Sequence, residues 1–103
     1  MQLTILYVPC PDSETAAKIV QILIDEKLVA CGNIHKSDSM YVWEGNMAKE
    51  DEWIAVMKTL DHLTAKAESR INELHPYDIP AVIHWAAMCN EAYLEWVKQQ
   101  QEV

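Results

Sequence analysis

Two long runs of strand-forming residues meet at Gly45–Asn46, and this meeting constrains the fold more than any other feature of the chain. Residues 30–44 read as one strand, in which Ser39, Tyr41 and Trp43 alternate near the tip with Met40, Val42 and Glu44. The next strand places Trp53, Ala55, Met57 and Thr59 on one face and Ile54, Val56 and Lys58 on the other. Gly45–Asn46 puts glycine first, as a two-residue type II′ turn requires. With Glu44 opposite Met47, Tyr41 falls opposite Glu50, Ser39 opposite Glu52 and Asn33 opposite Lys58. Arms of about 14 residues span on the order of 45 Å at ~3.3 Å per residue. A chain of 103 residues reads as a single domain over 1–103, with an expected diameter of ~26 Å. The outer half of the hairpin must therefore project past its own core. An aromatic projecting arm is an oligomer contact or an aggregation hazard.

The flanking segments complete the plan. Residues 2–8 are short, β-branched and apolar, and Pro9 and Pro11 are expected to stop them. Asp12 or Ser13 can cap a helix whose apolar positions Ala16, Ile19, Val20, Leu23, Ile24 and Leu28 recur at helical spacing. A second helix over about 61–75 carries Leu63, Ala67, Ile71 and Leu74 inward, and Pro76 ends it. Pro80 opens a fourth strand over 81–86, and Asn90 is placed to cap a final helix. The order β-α-β-β-α-β plus a terminal helix is the α+β ferredoxin-like plan. It predicts a four-stranded antiparallel sheet with helices on one face, the split βαβ being repeated around a long hairpin central in chain order.

Composition narrows function by exclusion. Eight Lys+Arg against 16 Asp+Glu leave a formal charge of −8, which disfavours a nucleic-acid partner. No apolar run reaches the length of a membrane span, so no membrane partner is expected. Neither GxGxxG nor a P-loop occurs, and no organic cofactor is implied. No basic segment precedes the apolar N-terminal run, and the three cysteines are an odd number. Both features point to a reducing, cytoplasmic setting without intramolecular disulfides.

Several short motifs resemble one family in order and spacing. Leu28-Val29-Ala30-Cys31-Gly32-Asn33-Ile34, Ser39-Met40-Tyr41-Val42-Trp43-Glu44-Gly45, Glu52, Lys58-Thr59, His75-Pro76-Tyr77-Asp78-Ile79-Pro80 and Asn90-Glu91-Ala92-Tyr93-Leu94-Glu95-Trp96 are similar to the CutA-type divalent-cation-tolerance proteins. The resemblance covers the whole chain. It implies a ferredoxin-like protomer, a homotrimer, a role in tolerance to copper and other divalent metals, and architectural kinship with trimeric PII-type signalling proteins. Copper binding in the family is attributed to a cysteine ending the first strand and a histidine in the HPY segment. His75 matches the second; the first falls at Val8, and Cys10 lies two positions later.

The candidate sites follow from both readings. Cys10 and His75 are the candidate metal ligands, because thiolate and imidazole suit copper and zinc. Against this, the residues alone favour reading His75 as a cation at a helix C-terminus and Cys10 as an ordinary, partly exposed loop thiol. Cys31 reads as a small core residue. Tyr77 and Asp78, held between two prolines, form with Lys58 a candidate cleft or anion site. Glu52 could pair with Lys58 or with a neighbouring protomer. Tyr41, Trp43 and Trp53 are candidate trimer-interface anchors. No catalytic motif is found, so a non-enzymatic metal-binding trimer is the leading reading. A PII-like small-molecule sensor or enzyme, with its site in an inter-subunit cleft, is the alternative.

Overall fold

The computed structural model describes residues 1–102. The elements run β1 (Gln2–Cys10), α1 (Ser13–Asp25), β2 (Cys31–Trp43), β3 (Asn46–Thr59), α2 (Thr64–Leu74), β4 (Ile83–Met88) and α3 (Glu91–Gln101), with one 3-10 turn at Asp61–Leu63 before α2. The four strands form one antiparallel sheet in the order β2-β3-β1-β4, as the α+β ferredoxin-like reading expects.

Alternation along β1 sorts the core. Leu6, Val8 and Cys10 face α1 and α2, where Ala16, Ile19, Val20, Leu23, Ala67 and Ile71 meet them together with Ala55 and Met57 of β3. Leu3 and Ile5 face the other way and pack at one end of the sheet with Leu60, Ala87 and Val97. The terminal helix α3 thus covers a different surface from α1 and α2. It is pinned by Gln101, which accepts from the Leu60 amide (2.9 Å) and donates to Thr59 Oγ1 (2.9 Å) and to the Lys27 carbonyl (3.3 Å).

The sequence expectations need correction at several joints. The hairpin turn is Glu44–Gly45, closed by Trp43 opposite Asn46. Both turn residues have positive φ, 50° and 80°, which is the type I′ signature rather than II′. Glycine occupies the second position, and Glu44 takes the left-handed conformation ahead of it. The register therefore moves by two residues: Tyr41 faces Ala48, Ser39 faces Glu50 and Asn33 faces Val56. A shift of two leaves every side chain on the face first expected, because the side-chain period is two.

β1 does not stop before Pro9 but continues to Cys10, pairing Pro9 with Ile54 and Cys10 with Trp53. Its pairing with β4 ends at Tyr7, so Pro9 sits where the β4 side is bare and a missing N–H breaks no ladder bond. Helix α1 ends at Asp25, short of Leu28, because Lys27 adopts φ 60° and the chain turns back through bonds from the Leu28 and Val29 amides to the Leu23 carbonyl. Asp12 caps α1, accepting from the Thr15 amide at 2.7 Å. Asn90 occupies the corresponding position of α3 but makes no side-chain cap bond. The fourth strand begins at Ile83, two residues later than expected.

The molecule measures 47 × 24 × 20 Å. β1 reaches only as far as Trp53, so the hairpin beyond it is a two-stranded ribbon without further strand partners.

Candidate functional site

The end of β1, the base of the ribbon and the loop after α2 converge on one corner. Pro76 pushes His75 out of the helix into extended geometry (φ −74°, ψ 134°) while its amide still bonds the Ile71 carbonyl. The imidazole turns onto the bare edge of β1, where Nε2 lies 2.8 Å from the Pro9 carbonyl oxygen. The Tyr77 amide, which can only donate, sits 3.2 Å from Nδ1. Nδ1 is therefore an acceptor, and the neutral ring carries its proton on Nε2, donated to Pro9. Both nitrogens of this buried ring are occupied.

Tyr77 extends the set. Its ring lies 4.7 Å from the imidazole, centroid to centroid, and its hydroxyl donates to Glu52 Oε2 at 3.1 Å. Burial, with Glu52 beside it, pushes the phenol up to about 12. Cys10 is not the loop thiol expected from the sequence: it is the last residue of β1 and fully buried, its Sγ 3.6 Å from the Val8 carbonyl. Burial, reinforced by Asp12 and Glu52, raises its pKa to about 11, so it is a thiol at neutral pH.

The other candidates distribute elsewhere. Asp78 is exposed on the loop. Lys58 donates to the Asn33 side-chain oxygen, six residues along β3 from Glu52 and so about 20 Å away. Within the protomer, Lys58 is not brought to Tyr77 and Asp78. Tyr41 and Trp43 project from one face of the ribbon, and Glu50 beside the Tyr41 hydroxyl raises its pKa. Trp53 turns to the helix side and packs against the core of its own protomer. Cys31 is half-buried, with its Sγ 3.1 Å from the Tyr93 hydroxyl. All three cysteines are free.

Two partners escaped the sequence reading: the Pro9 carbonyl under His75, and Glu52 as the acceptor for Tyr77. Proline at the end of an apolar strand was the available signal for the first, since its carbonyl faces an edge with no neighbouring strand. Among the described residues no group of three or more His, Cys, Asp or Glu is disposed to hold a metal, and the surface forms no enclosed pocket.

The sequence profile described as CutA1 divalent ion tolerance protein matches residues 4–100. This chain belongs to the CutA1 divalent ion tolerance family. The CutA of Pyrococcus horikoshii, described as a divalent-cation tolerance protein, is 40% identical over 97 residues, covering 93% of this chain and 95% of that protein. The CutA1 crystal structure from Ehrlichia chaffeensis superposes with a TM-score of 0.94 at 35% identity, covering 96% of this chain and 94% of that one. A CutA from Archaeoglobus fulgidus, described as periplasmic, gives 0.88 at 27% identity over 97% and 98% of the two chains. The CutA fold and a general connection to divalent-cation tolerance follow for this chain. No helix among the described residues is long and apolar enough to cross a membrane.

The donors that the family resemblance implies are chemically suited to a soft or borderline ion, imidazole and sulfur with a carboxylate nearby. They are held closed. Cys10 must lose a strongly held proton, and His75 must give up one of its two hydrogen bonds, before either can ligate.

Proposed function

We propose that this CutA protein is a homotrimer serving copper and divalent-cation tolerance, with the metal taken up at the corner between Cys10 and His75. The observation that carries this reading is the convergence of His75, Tyr77 and Glu52 on the end of β1 beside Cys10. His75 would supply an imidazole nitrogen and Cys10 a thiolate; the bound ion would provide a Lewis acid, and no reaction is assigned to it. Because Cys10 deprotonates on binding, uptake releases a proton and affinity rises with pH. A cytoplasmic location is part of the same proposal.

Equilibrium dialysis of the full chain against Cu(II), Zn(II) and a metabolite panel tests it. The expected result is saturable copper uptake, abolished in His75→Ala and weakened in Cys10→Ser. His75→Ala also strips the Pro9 carbonyl of its partner, so a thermal melt of each variant separates misfolding from ligand loss. If both variants are folded and bind copper like the parent at pH 7, the reading is wrong. Saturable metabolite binding without metal would instead favour the PII-like sensor, with Lys58, Tyr77 and Asp78 drawn from different protomers into one cleft.

A further inference from the structure

The ribbon carries a second sulfur chemistry that does not depend on the His75 corner. β2 and β3 pair Val42 with Met47 and Met40 with Lys49, so Met40 and Met47 are diagonal neighbours on one face. Both stand in water, 63% and 67% exposed, although methionine is among the residues most often buried. Tyr41 and Trp43 alternate with them and point from the opposite face. Of the three candidate interface anchors, Tyr41 and Trp43 thus lie on the face away from the sulfurs, and Trp53, on the sulfur-bearing face, is packed into its own core.

Diagonal neighbours across a sheet have backbones about 7–8 Å apart, within reach of long side chains. An ion held by two sulfurs at about 2.3 Å each, the zinc–sulfur value, needs them no more than about 4.6 Å apart. Two unbranched side chains with three free torsions each can close that gap. Thioethers are neutral, need no deprotonation and select soft ions such as Cu(I) over hard divalent ones. The charged residues on the same face are matched to one another, Lys49 with Asp38 at 3.8 Å and Lys36 with Asp51 at 3.4 Å. No unopposed lysine there repels a cation. We propose that Met40 and Met47 form a two-thioether clamp for a soft monovalent cation, Cu(I), near the hairpin tip.

The protein supplies its own controls. Met57 is buried in the core. Met88 pairs with Gln2, so Met1 and Met88 point to opposite faces and cannot chelate together, although both are exposed. The experiment is a silver nitrate titration of full-length protein labelled at the methionine methyl carbons, followed by NMR. Silver(I) serves as a redox-inert probe, added beyond the equivalents consumed by the three thiols. The Met40 and Met47 methyl resonances are expected to shift together, at a free silver concentration at least about tenfold below that needed for Met1 and Met88, because the second sulfur binds intramolecularly. In Met40→Leu, which conserves volume, Met47 should fall back to the Met88 midpoint. A Met47 response unchanged by Met40→Leu, or no earlier than that of Met88, overturns the clamp. The same titration on His75→Ala should match the parent, so failure of the corner site and failure of the clamp are separately visible.

Discussion

Cys10 and His75 show how far one side chain's chemistry depends on its neighbours. In the sequence they are a thiol after a strand and an imidazole after a helix; the fold makes one a core residue and the other the cap of a bare strand edge. Without metal, Cys10 should therefore resist alkylation. At pH 8 iodoacetamide is expected to modify it no faster than the protein unfolds, so peptide mapping of native protein would find it unlabelled while denatured protein labels fully. Rapid native alkylation of Cys10 would contradict its raised pKa. The same shift sets an alkaline limit. Its folded value of about 11 exceeds the ordinary 9.0, so the native state holds the proton more tightly. That contribution is complete below about pH 9 and is lost as pH rises towards 11. Tyr77, raised from 10.0 to about 12, extends the loss above pH 10. Urea midpoints should be flat from pH 7 to 9 and then fall, and in Cys10→Ala the fall should begin about one unit later, where Tyr77 and the likewise raised Tyr93 take over.

The elements test different physics. α1 lies so close on β2 that a Cβ at Gly32 would meet the Val20 methyl carbons at 2.9 and 3.0 Å and Met57 Cγ at 3.2 Å. Val20 is β-branched and stiff, so the clash cannot be relieved by a simple rotation. Gly32→Ala is expected to cost about 1–3 kcal/mol, and adding Val20→Ala should recover part of it; a Gly32→Ala melt equal to the parent's would show that the helix can lift freely. The hairpin turn is suboptimal in the opposite sense. Glu44 sits at φ 50°, a conformation asparagine tolerates better, and Asn-Gly is the favoured type I′ pair. Glu44→Asn should raise the melting temperature and slow amide exchange in 40–49. Unchanged exchange there would mean that the turn does not limit the stability of the ribbon. These two sites also mark what the sequence could disclose. Alternation at Tyr41–Trp43 and Trp53–Thr59 assigned faces correctly even though the turn was misplaced, because a two-residue shift preserves them. Helix ends were less legible: a left-handed Lys27 ends α1 where apolar spacing ran on to Leu28, and Leu28 still packs against the core from outside the helix. At the corner, His75 and Tyr77 were singled out in the sequence but their bonds were not, and Lys58, grouped with Tyr77 there, lies elsewhere along β3. A carbonyl acceptor such as that of Pro9 leaves no trace in residue type.

For the whole molecule, the ribbon is the surface that the protomer leaves uncovered. Met40, Val42, Trp43 and Met47 are 63–67% exposed on a 47 Å particle whose core ends near Trp53. Fully burying such side chains stabilises by about 1.5–3 kcal/mol each, so leaving the ribbon in water forgoes a gain comparable to a small protein's entire stability. Covering Tyr41 and Trp43 with a neighbouring protomer recovers part of that gain, and a closed ring of three lets every ribbon be covered in the same way. The expected consequence is a sedimenting mass three times 11.8 kDa at micromolar concentration, with a melting temperature that rises with protein concentration because assembly is linked to folding. Replacing both Tyr41 and Trp43 by lysine places like charges where the protomers should meet and should lower the mass towards that of the protomer. Far-UV circular dichroism would check that the sheet survives. A monomeric mass for the parent would remove the trimer from the proposal. Retention of the full trimer by the double-lysine variant would move the interface away from this face and onto surfaces such as Ile83 and Trp85 of β4, both also exposed.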